Sequence, residues 1–234
     1  MARRATIIKQ TRAQSQNVIL VDAGNSLIIN DLGGKEPAER TRAQTSLQVL
    51  NRLGYDAVGI GDKDLLLTRD ELAQRIGEAK GFSFLSANLI DKATNKLFAK
   101  PYAIKEVAGH RVAFIGLTGA VPENSPDWSL VLPLDAAREY VPKVQPQADI
   151  IILLSTAGAE MNKQIAAQVP GIDLIVSGGQ EPLPEPAQPA EGTLVMQAEV
   201  SMPGHAGRHI GRLVAEFDAS GALAKAITWE SLEL

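Results

Sequence analysis

Short continuous apolar runs alternate along this chain with stretches whose apolar positions recur at helical spacing. Ala5, Ile8 and Ala13 mark a first amphipathic helix, and residues 17–21 read as a strand. Ala43, Leu47, Leu50 and Leu53 carry the helical period through 36–53, where Gly54 suits the C-terminal cap. The next strand is 55–60. Thr68-Arg-Asp-Glu71 has the form of a capping box, which predicts a helix over 69–79. Strands follow at 83–87, 102–107 and 112–117, the last two joined through Gly109. Then come a helix over 134–144, a buried strand at 150–154, a helix over 159–168 and a strand at 173–176. The proline-rich 181–189 reads as a rigid non-helical loop, after which a sheet pair, 193–197 and 210–218, resumes. This alternation predicts an α/β layered fold.

Composition narrows the classes. The 234 residues are 45% hydrophobic, enough to bury a large core as one domain spanning 1–234. A net charge of −4 provides no basic stripe to displace counterions from phosphates, which excludes nucleic acid as a partner. Arg3, Arg4, Lys9 and Arg12 are a local cluster that reads as the solvated face of the first helix. No apolar stretch is long enough to span a bilayer, and Met1-Ala-Arg-Arg is not followed by the hydrophobic region of a signal peptide. The lack of cysteine excludes disulfides and thiolate metal sites and leaves the compartment open.

Two segments carry the chemistry. Val18-Ile-Leu-Val-Asp-Ala-Gly-Asn25 and Gly54-Tyr-Asp-Ala-Val-Gly-Ile-Gly-Asp-Lys-Asp-Leu65 each read as a buried strand ending in a glycine turn, with polar residues where the strand stops. In an α/β sheet the carboxyl ends of parallel strands open onto a crevice, the usual place for a site. The segments resemble the second and third signature blocks of the 5′-nucleotidase branch of the metallophosphoesterases, Leu-Asp-Ala-Gly-Asp and Gly-Tyr-Asp-Ala followed by Gly-Asn-His-Glu. The resemblance continues in order through Phe84-Leu-Ser-Ala-Asn88 and the hairpin from Lys100 to Leu117. It ends with Ala148 to Thr156, similar to a strand closing in Ser-His, and Gly171 to Glu181, similar to one closing in Gly-Gly-His-Thr-His. It implies two packed mixed sheets flanked by helices, an α/β/β/α sandwich in which the family's first strand, with its Asp-x-His block, lies upstream of Ala2. It also implies a catalytic domain alone, without the C-terminal domain that supplies the nucleotidases' aromatic base clamp. A periplasmic or other extracytoplasmic setting is implied as well, although the chain as written leaves a cytoplasmic one open.

At the family's ligand positions the sequence departs from the pattern. The resemblance places Asn25 at the metal-bridging Asp, Asp62 at Asn, Thr156 at the histidine of Ser-His, and Gly179 and Glu181 at the last two histidines, and it places Lys63 at the catalytic histidine that assists the leaving oxygen. Two dications about 4 Å apart need a bridging carboxylate to offset their repulsion, which a neutral amide cannot supply. A charged lysine has no lone pair and repels a metal. The expectation is a catalytically degenerate relative without a cofactor, kept as a binding or structural component with an unknown protein partner. The alternative is a metal-dependent phosphoesterase with an altered or single-metal site drawn from Asp22, Asp62, Asp64 and Glu181. Carboxylates of that kind suit Mg2+, Mn2+ or Ca2+. A third reading is a sensor in which Lys63 and strand-end amides hold a small anionic ligand such as phosphate. Lys63 is expected to pair with Asp62, Asp64 or Glu181, because an unpaired buried ammonium is costly; the blander reading makes 62–64 a solvated turn. His110 falls in a hairpin turn. His205 and His209 flank a glycine-containing loop, which argues against a metal pair on one helix face. Gly178-Gly179 lacks the rest of a phosphate-loop pattern.

Overall fold

The computed structural model describes residues 2–28, 37–183, 185–190, 192–199, 209–218 and 223–234. Three strands, β1 (Val21–Asp22), β2 (Ala57–Gly59) and β3 (Ser83–Leu85), form a parallel sheet in that order. Against its outer face pack α1 (Ala2–Gln14), α3 (Gln44–Leu53), which follows the single turn α2 (Pro37–Arg40), and α4 (Arg69–Gly77). Ile8, Leu47, Leu50, Leu72, Val58 and Phe84 are the buried contacts of that layer. Arg12 of α1 donates to the carbonyls of Leu53 and Gly54, both at 2.7 Å, so a guanidinium satisfies the orphan acceptors at the end of α3.

The second sheet has six strands in the order β11-β12-β10-β9-β7-β6. Its centre, β7 (His110–Leu117), β9 (Ile150–Ser155), β10 (Leu174–Ser177) and β12 (Thr193–Met196), is parallel, and β6 (Tyr102–Val107) and β11 (Ala187–Ala190) are antiparallel edges. β9 is apolar but for its last residue and buried throughout, as a central parallel strand covered on both faces must be. One face meets the first sheet through Ala57, Leu85, Phe114, Ile152 and Leu154. The other is covered by α5 (Pro133–Val144) and α6 (Ala159–Gln168) through Ile115, Leu153, Val141 and Ile165. The order helix, sheet, sheet, helix is that of the expected sandwich. A small sheet of β4 (Leu89–Asp91), β5 (Lys96–Leu97) and β8 (Trp128–Leu130) and a hairpin of β13 (His209–Phe217) and β14 (Leu223–Glu233) complete it.

Three expectations are corrected. The segments 193–197 and 210–218 do not pair with each other: β12 lies between β10 and β11, and β13 pairs with β14. The helix over 36–53 is broken, because Arg42 (φ 47°) and Ala43 (φ 64°) are left-handed and end α2 before α3 begins. The loop at 181–189 contains part of β11, where an edge position accommodates proline without disturbing the ladder. No helix among the described residues is long and apolar enough to cross a membrane.

Candidate functional site

The carboxyl ends of β1, β2, β7, β9 and β10 converge on a floor built largely of glycine. After β1 the chain turns through Gly24 (φ 135°) and Asn25 (φ 63°). A side chain at Gly24 would lie 2.8 Å from Gly61 N and 2.9 Å from the Thr156 methyl, so the turn reaches the ends of β2 and β9 only as glycine.

Asp64, fully buried, draws this turn onto the end of β2. Its Oδ2 accepts the N–H groups of Asn25 and Gly61, both at 2.9 Å, and its Oδ1 accepts those of Leu27 at 2.9 Å and Ile28 at 3.3 Å. Burial pushes this carboxyl up to about 7 against those donors. Asn25, also buried, accepts the Lys63 N–H on Oδ1 at 2.8 Å and donates Nδ2 to Asp62 Oδ1 at 3.1 Å. The Lys63 ammonium lies 3.6 Å from Asp62 Oδ2, with both side chains part-exposed, so its partner among the expected carboxylates is Asp62. Asn25, Asp62, Lys63 and Asp64 thus form one hydrogen-bonded group.

The remaining positions go elsewhere. Thr156 Oγ1 accepts the Gly119 N–H at 3.0 Å, and its methyl fills the space between Gly24 and Gly178. Gly179 (φ 95°) offers only backbone. Glu181 reaches the start of α6, where Oε2 accepts the Glu160 N–H at 3.3 Å and stands in for the side-chain cap that Gly158 lacks. Asp22 lies near α1: burial raises its pKa, opposed by the Gly24 N–H at 3.0 Å and by Arg4. Burial and the nearby Asp22 charge push Tyr55 up to about 12. His110 opens β7, His205 lies outside the described residues, and His209 Nδ1 lies 3.2 Å from Glu199.

Sequence reasoning missed two buried hubs. Asn162, on α6, accepts from Ser155 Oγ at 2.6 Å and donates to Ser177 Oγ at 2.9 Å, tying the ends of β9 and β10. Thr118 Oγ1 donates to Ile60 O at 2.7 Å, and its N–H donates to Asn88 Oδ1 at 2.8 Å, tying β7 to the ends of β2 and β3. The available signal was a polar residue at the close of each apolar strand, with Asn162 alone on the inner face of α6.

A two-metal centre does not fit these side chains. Among the described residues no group of three or more His, Cys, Asp or Glu is placed to hold a cation. Asn25, which the resemblance sets at the bridging position, is an amide already engaged on both atoms, beside a lysine.

An uncharacterized metallophosphoesterase, YunD, from Bacillus subtilis (strain 168) is 32% identical over 204 residues, covering 82% of this chain and 42% of that protein. A probable 5′-nucleotidase from Treponema pallidum (strain Nichols) is 30% identical over 242 residues, 94% of this chain and 40% of that protein. The chain belongs to the metallophosphoesterases. This metallophosphoesterase chain spans about two-fifths of the length of those curated relatives, 42% and 40%. The fold agrees: the crystal structure of a 5′-nucleotidase precursor from Thermus thermophilus matches with a TM-score of 0.80 at 24% identity, over 99% of this chain and 48% of that chain. No protein-family model matches. Kinship with phosphoesterases favours the second sequence reading, an active enzyme with an altered site; it does not speak to catalytic loss, which is a question of side chains.

Proposed function

We propose that this metallophosphoesterase-fold chain works without a two-metal centre, as a binding or structural component whose hydrolytic power is lost or strongly reduced. The observation that carries the reading is the mutual engagement of Asn25, Asp62, Lys63 and Asp64. Asn25 presents no carboxylate, and Asp64 has both oxygens taken up by backbone donors. A buried carboxylate so held would leave four N–H groups unpaired if it turned to a cation, at about 1–3 kcal/mol for each.

The second reading, a phosphoesterase with an altered or single-metal site, is favoured by the family relationship. It draws its ligands from Asp22, Asp62, Asp64 and Glu181, and each is already engaged: Asp22 beside Arg4, Asp62 with Asn25 and Lys63, Asp64 in its backbone cradle, Glu181 at the start of α6. Elemental analysis of the purified protein, with a generic phosphoester assay in the presence and absence of chelator, decides between them. The expected result is no stoichiometric Mn, Zn, Mg or Ca and no chelator-sensitive turnover. One bound equivalent with chelator-sensitive hydrolysis would establish the second reading.

A further inference from the structure

We draw no further inference here: the strongest candidate, the cavity of about 260 Å3 between α1 and the β13–β14 hairpin, where Arg212 Nε is buried and makes no hydrogen bond, carries none, because that nitrogen is closed off from the cavity and nothing in the structure shows what would fill it.

Discussion

Asp64 is surrounded by donors and has no rival acceptor, so replacing one oxygen by an amide turns a satisfied cradle into one with a donor facing donors. Asp64→Asn should lower stability by about 2–4 kcal/mol in urea unfolding. A midpoint within error of the parent would mean that the Asn25–Ile28 turn is not held by this carboxylate. Asp173 gives a pH test. Burial pushes it up to about 6 from 3.8, against the Ile151 N–H at 2.8 Å. Because its folded pKa is the higher one, its contribution is fully present below about 3.8 and is lost as pH rises through about 6. Asp173→Asn keeps an acceptor for Ile151 and removes the titration. It should exceed the parent by about 1–2 kcal/mol at pH 8, discounted for partial exposure, with no advantage near pH 4. Thermal melts at the two pH values check this; an advantage that persists at pH 4 would assign the gain to something other than ionisation. At this scale the sequence was readable where partners are neighbours, as with Asp62 and Lys63. It was silent where they are distant: the donors to Asp64 at Asn25, Leu27 and Ile28 come from 36 to 39 residues away.

Among the elements, those with strong local signals were legible. The Thr68–Glu71 capping box is present in both directions, α6 spans the expected 159–168, and the β6–β7 hairpin closes where Gly109 placed it. The break at Arg42 and Ala43 was not legible, since both residues suit a helix. It is held by tertiary contacts, Arg42 to Glu71 at 2.5 Å and Arg75 Nε to Arg42 O at 2.9 Å. The short strands β4, β5 and β8 and the long β14 also escaped, the former because two or three residues carry no period. The hairpin turn offers an element-scale prediction. Ala108 (φ 54°) and Gly109 (φ 84°) are both left-handed, as a type I′ turn requires. Asparagine tolerates that region better than alanine, so Ala108→Asn should add about 0.5–1 kcal/mol by urea unfolding. Destabilisation instead would show that the turn relaxes to another type in solution.

For the whole molecule, the resemblance made the sandwich legible, and it also assigns a use to Asn25, Asp62, Lys63, Thr156 and Gly179. Restoration tests that use. Asn25→Asp, Asp62→Asn, Thr156→His and Gly179→His together return the four ligands that the resemblance assigns to one metal subsite, and Lys63→His removes the repelling charge and returns the catalytic imidazole. We expect this variant to bind one equivalent of Mn2+ or Zn2+ by calorimetry and to hydrolyse phosphoesters poorly, since one dication cannot stabilise both attacking and leaving oxygens. Its metal-free form should be less stable by about 2–4 kcal/mol, because Gly179 is left-handed and Thr156 packs against Gly24 and Gly178. No binding with an intact circular dichroism spectrum would mean that the alignment of ligands is wrong. The Asp64 cradle also bears on time. Its bonds to Asn25, Leu27 and Ile28 close loops of 36 to 39 residues, and such closures are expected after the local helices and the β6–β7 hairpin have formed. A contact absent from the transition state governs departure from the native state rather than arrival. Asp64→Asn should therefore refold at nearly the parental rate and unfold many times faster, making this carboxylate a brake on unfolding.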